Sequence, residues 1–127
     1  MVEVQAHPSD PSRAILMSCV DDRPFIVSSI LHAIHSCGAV VTRNFNAIAL
    51  TRRDTTGRLT DVSLTGGTAE SFTWLEFTTT GMTQSLTELK TFVSELLTSC
   101  AVVTSDYDKL RIILETAADY HEANQER

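Results

Sequence analysis

The pattern of apolar residues along this chain predicts an α+β fold: an antiparallel four-stranded sheet, two helices on one face of it, and a further helix at the C-terminus. Three observations carry this. Runs rich in Val, Ile, Thr and aromatic residues at 14–20, 40–51 and 71–79 have strand character. Two stretches, 25–38 and 85–97, repeat apolar residues at helical spacing. Their order, completed by a short run at 101–104, is that of a ferredoxin-like βαββαβ unit, whose two crossing connections set the first and third strands side by side in the centre.

The chain is long enough to bury one core. Its 127 residues make about one domain, and a 43% apolar fraction is ordinary for a globular one. No apolar run reaches the roughly 18 residues that a membrane helix needs, so no membrane partner is expected. A net charge of −6, from 10 basic and 16 acidic residues, speaks against nucleic acid as a partner, because a phosphate backbone needs a basic surface. Arg52, Arg53 and Arg58 cluster about a turn signal and read as a solvated hairpin tip. The N-terminus lacks the basic and apolar regions of a signal peptide, which makes the cytoplasm the expected compartment. Cys19, Cys37 and Cys100, odd in number and without CxxC spacing, read as reduced and mostly buried thiols.

Residues 1–12 hold two prolines, Ser9, Asp10 and Ser12, and read as a flexible lead-in, with a single domain occupying 13–127. The nearly unbroken apolar run 14–20 suits a central strand. After it comes a corner, Asp21-Asp22-Arg23-Pro24. Asp22 is placed to cap the next helix, Pro24 is tolerated in a first turn, and Ile26, Val27, Ile30, Leu31 and Ile34 share one helical face. Gly38 ends that helix. His32 and His35 fall on its solvent side, three apart and without a third ligand, so no metal site is expected.

The second strand alternates imperfectly, which a bulge at 44–46 would explain. Residues 53–57 signal a turn, Leu59, Val62 and Leu64 extend a hairpin, and Gly66-Gly67 breaks it. In the third strand Thr73, Leu75 and Phe77 share one face, while Phe72, Trp74 and Glu76 share the other. Helices on one side only would leave Phe72 and Trp74 as an exposed aromatic patch of the kind that marks an interface; alternatively the N-terminal segment or the 59–68 loop covers them. Ser85 and Glu88 form a capping box ahead of Leu86, Leu89, Phe92, Val93, Leu96 and Leu97. Residues 101–104 read as the fourth strand, and Asp106 as the cap of a last helix with Leu110, Ile113, Leu114 and Ala117 inward.

Catalytic equipment is not evident. The chain has no GxGxxG, GxxxxGK[ST], GxSxG or HExxH motif, and its five glycines are scattered. Adjacent Asp21 and Asp22 suit helix capping better than acid–base work. A small ferredoxin-like enzyme such as an acylphosphatase would need a phosphate loop, whereas Arg43 and Asn44 stand within a strand. Binding is better provided for: the backbone N–H groups from Arg23 to Ile26 favour a carboxylate, and Asp21 or Asp22 could meet an ammonium, so the corner suits an amino acid. The simpler reading is that Asp22 satisfies those N–H groups itself.

These residues resemble the ACT domain, a βαββαβ regulatory module that generally binds amino acids at its first strand-to-helix corner. More narrowly, the chain is similar to the N-terminal ACT-like segment of the large bacterial NAD-specific glutamate dehydrogenases. The likeness spans about residues 14–120. It rests on the corner Asp22-Arg23-Pro24-Phe25-Ile26, on Arg52-Arg53-Asp54 with Gly57-Arg58-Leu59, on Glu70-Ser71, on the leucine-rich helix 85–97 and on 102–107. Two features depart from the pattern. Phe25 stands where amino-acid-binding ACT domains carry Gly, and Asn46-Ala47 replace a His-Pro pair usual in the dehydrogenases.

The resemblance implies a non-catalytic regulatory or assembly module whose parent oxidises L-glutamate to 2-oxoglutarate and ammonia with NAD. No cofactor is then expected in this segment, since the catalytic lysine and nucleotide fold belong elsewhere in such a parent. The implied ligand residues are Asp21, Asp22, Arg23, Phe25, Ile26 and Asn46, and the implied interface is Phe72 and Trp74. Other ACT-like domains, including a second copy in a homodimer, or the parent's catalytic region are the implied partners. A stand-alone amino-acid sensor is the alternative.

Overall fold

A computed structural model describes residues 1–125. In chain order it contains β1 (Val2–Ala6), β2 (Arg13–Asp21), α1 (Ile26–Ser36), β3 (Val41–Arg53), β4 (Leu59–Ser63), β5 (Thr68–Thr78) and α2 (Leu86–Gln125). The five strands form one antiparallel sheet in the order β1-β2-β5-β3-β4. This is the α+β, ferredoxin-like arrangement expected, with β2 and β5 adjacent at its centre. The core lies between one face of the sheet and the two helices. Ala14 and Leu16 of β2, Leu75 and Phe77 of β5, Ile30, Ala33 and Ile34 of α1, and Leu89 and Val93 of α2 are fully buried there. Each large apolar side chain so placed contributes about 2 kcal/mol relative to exposure.

Two parts of the architecture differ from the sequence-based expectation, and they are linked. Residues 2–6 are not an irregular lead-in: they form β1, paired to β2 with Val2 opposite Ser18 and Val4 opposite Leu16. Val2 and Val4 turn toward the core while Glu3 and Gln5 face out, a period-2 alternation in only five residues. The turn back into β2 is held by Asp10, whose Oδ1 accepts from the Ser12 amide at 2.9 Å and the Ser12 hydroxyl at 2.6 Å.

Residues 101–104, expected as a fourth strand, are helical, and so are 106–117, so that a single helix α2 replaces the expected helix, strand and helix. The edge of β2 that a fourth strand would occupy is filled by β1. No Gly or Pro follows Gly81 to stop the helix. The β-branched residues cost only a few tenths of a kcal/mol each in a helix, less than starting a new element. Thr104 further satisfies its hydroxyl by donating to the Cys100 carbonyl at 2.8 Å. Asp106 is therefore mid-helix, and Leu110, Ile113, Leu114 and Ala117 point to solvent rather than inward.

Signals between near neighbours are realised as expected. Ser85 and Glu88 cap α2 reciprocally: the Glu88 amide donates to Ser85 Oγ at 3.1 Å and the Ser85 amide to Glu88 Oε2 at 3.2 Å. Gly38, at φ 83°, closes α1 by donating to the His35 carbonyl, while the Ala39 amide donates to that of Ile34. The register shifts of β3 fall at 41–43 and 52–53 rather than at 44–46. All three cysteines are free thiols, with Cys37 buried and the other two half-buried.

Candidate functional site

The corner after β2 is built by a proline and a strained residue. Pro24 fixes its own φ and keeps Arg23 extended, so the chain must reverse in a single step before α1 can start. Phe25 makes that step with φ 70° and ψ 10°, the left-handed conformation natural to Gly. It is the N-cap residue, and no side chain caps the first turn. Asp22 does not perform the capping expected of it: its amide instead continues the β2–β5 ladder by donating to the Ala69 carbonyl at 2.9 Å, and its side chain is exposed. Phe25 adds little to the core, since its ring is 67% exposed.

Beside this corner lies a cleft of about 410 Å³ between the end of β2 and α2. Asp21, Arg23 and Ile26 line it, facing Ser94, Leu97 and Thr98 across the gap. Arg23 bridges the walls, its Nη1 donating to the Ala101 carbonyl at 3.3 Å. Ser29 and Cys100 join α1 to α2 at 3.1 Å nearby. Asn46 does not line the cleft. Its Oδ1 accepts from Ser71 Oγ at 3.1 Å and Thr73 Oγ1 at 3.2 Å, bracing β3 against β5. Of the six expected ligand residues, the structure gathers Asp21, Arg23 and Ile26 around one space and leaves Asp22, Phe25 and Asn46 outside it.

The second candidate is the sheet face away from the helices. Trp74 stands opposite Met17 on one side and Phe45 on the other, and Phe72 opposite Cys19 and Ala47. Met17, Cys19, Phe45, Phe72 and Trp74 line an open groove of about 720 Å³. Phe72 and Trp74 are half-buried, and Phe45 is 62% exposed. Met1 and Leu59 flank the groove, so the N-terminal segment and the β4 hairpin border the aromatics without roofing them. Sequence reasoning misses Phe45, because the irregular alternation of β3 hides which face it shares.

On β5 a buried carboxylate follows the aromatic row in each direction, Glu70 in the groove lining and Glu76 beyond it, and each is matched by arginine. Arg53 donates to Glu70 through Nε at 3.0 Å to Oε1 and through Nη2 at 3.0 Å to Oε2; Thr51 Oγ1 adds a bond at 2.6 Å. Arg53 is thereby tied to the sheet, although, like Arg52 and Arg58, it stays exposed at the hairpin. At the other end Arg13 Nη1 donates to Glu76 at 2.5 Å, and Arg43 lies 4.0 Å from the same carboxylate. Hydrogen bonds from Arg53 and then Thr51 hold the Glu70 carboxyl below its ordinary value. Burial, reinforced by the Glu70 charge, pushes the Cys19 thiol up, so it is a poor nucleophile. The face is thus apolar in the middle and charge-matched at its ends.

Among the described residues, no group of three His, Cys, Asp or Glu side chains is placed to hold a metal ion, and no helix is long and apolar enough to cross a membrane. A family model described as the ACT1 domain of glutamate dehydrogenase matches residues 2–93. Neither a curated protein nor a solved structure gave a match.

Proposed function

The chain belongs to the glutamate dehydrogenase ACT1 domain family, a regulatory ACT module, and from that premise we propose that it works without catalysis, as an assembly element of an NAD-dependent glutamate dehydrogenase. The catalysis, conversion of L-glutamate and NAD to 2-oxoglutarate, ammonia and NADH, resides in a separate region of the parent. The observation that carries this reading is the groove of Phe45, Phe72, Trp74 and Met17, apolar between two neutralised carboxylates. A second ACT-like sheet laid on it would remove three aromatic rings from water without stranding a charge. The test is the solution mass of the chain and of Trp74→Glu. Self-association that the charge lowers is the expected result, and a solution mass that Trp74→Glu leaves unchanged rejects this interface.

A second reading is favoured by the cleft at the corner, where an uncapped helix start, the Asp21 carboxylate and the Arg23 guanidinium border one space. An amino-acid effector has the charges to match. Calorimetric titration of the chain with a panel of amino acids tests it: heat with one of them, lost in Asp21→Asn, supports a sensor, and no heat at millimolar ligand rejects it.

A further inference from the structure

Helix α2 changes role at Thr104. Up to that point it buries Leu89, Val93, Leu97 and Thr104 against the domain; from 105 to 125 none of its side chains is buried. Its apolar pattern nevertheless continues. Val103, Tyr107, Leu110, Leu114 and Ala117 recur at steps of four, three, four and three, and the first four are each more than half exposed. At 100° per residue this stripe lies about a quarter turn around the helix from the face that meets the domain. The domain's own sheet therefore cannot receive it.

The 3.5-residue period is that of a two-stranded coiled coil. It puts Tyr107 and Leu114 at a positions and Val103, Leu110 and Ala117 at d positions. Asp106 then falls at g and Arg111 at the following e. In a parallel, in-register pair, g of one strand faces the next e of the other, so Asp106 meets the partner's arginine twice by symmetry. An antiparallel pair sets g against g and e against e, and offers Asp106 no cation. Ile113, also at g, and Ala118, at e, widen the same seam.

We propose that residues 103–117 form a parallel coiled coil with the same segment of a second copy of this chain. This contact is independent of the aromatic sheet face. Single cysteines placed on the full chain test it: Leu110→Cys and Ala117→Cys at d positions, and Ile112→Cys on the opposite side, which also reports on the native thiols. The expected result is covalent dimer for the two d-position variants at several-fold the yield of Ile112→Cys, unchanged when Trp74→Glu is added. On the native-cysteine chain carrying Trp74→Glu, which silences the sheet face, Asp106→Arg and Arg111→Asp should each lower the dimer fraction in sedimentation, and the two together should restore it. All these positions are solvent-facing, and circular dichroism verifies folding. Equal cross-linking at 110 and 112, or a charge swap no better than its single variants, overturns the proposal.

Discussion

Arg53 of β3 reaches back along the sheet to Glu70 of the neighbouring β5, whose register partner is Ala49, and binds it with two parallel hydrogen bonds, Nε to Oε1 at 3.0 Å and Nη2 to Oε2 at 3.0 Å. The planar fork of arginine matches the carboxylate, and Thr51 satisfies a further lone pair. Since Glu70 is held below its ordinary value of 4.5, its contribution is fully present above about pH 4.5 and is lost as pH falls through the folded-state value. Replacing Glu70 by Gln should cost about 2 kcal/mol near neutrality, a figure kept low because the Arg53 side chain is 35% exposed and screened. The gap between the two urea midpoints should narrow from about pH 6 to about pH 3. A gap that stays constant would show that the pair does not titrate with folding.

Phe25 is expected to be a strained residue with little to lose. A left-handed conformation costs a non-glycine residue about 1–2 kcal/mol, and the exposed ring returns little of it. Phe25→Gly should therefore raise stability slightly, by up to about 1 kcal/mol once the added freedom of the unfolded chain is subtracted. Phe25→Val should lower it, because a β-branched side chain tolerates this conformation worst. Denaturant midpoints of the three proteins decide the order. If the native chain is instead more stable than Phe25→Gly, the ring makes a contact that offsets the strain.

Gly38 and Gly81 touch backbone to backbone where the end of α1 meets the lead-in to α2. A Cβ on Gly38 would collide with the Gly81 carbonyl oxygen, and at φ 83° the residue is also left-handed. Gly38→Ala should cost more than about 2 kcal/mol, visible as a lowered thermal midpoint. The exposed Gly57, also at positive φ but with open space around it, supplies the control: Gly57→Ala should cost only the conformational part, about 1 kcal/mol.

Ser85→Ala removes one half of the reciprocal cap on α2 and should destabilise by about 1 kcal/mol, with loss of helical signal confined to the first turn. Ser85→Asp keeps an acceptor at the helix start and should retain most of the stability in the same thermal melt.

What could be read from the sequence was what neighbouring residues settle between themselves. The capping box at Ser85 and Glu88, the glycine stop at Gly38, the alternation through Leu75 and Phe77, and the helical face of Ile26, Ile30 and Ile34 depend on contacts within a few residues, and all stand in the structure. The candidate sites were half legible: Phe72 and Trp74 share one face as expected, but that this face stays open, and that Phe45, Arg53 and Glu70 join it, depended on strand pairing.

Long-range packing made the choices in which propensity is weak or two partners compete. Whether residues 101–104 become strand or helix turns on β-branched preference worth a few tenths of a kcal/mol, and on whether the edge of β2 is free. Five residues at the N-terminus occupy that edge, and the helix runs on. Likewise Asp22 has the chemistry of a cap, but the ladder to Ala69 and the reversal at Phe25 claim that stretch of backbone first. Local patterning was enough to establish the α+β class and most of its elements; the assembled sheet, by filling one edge and leaving one face open, selected which surfaces remain exposed.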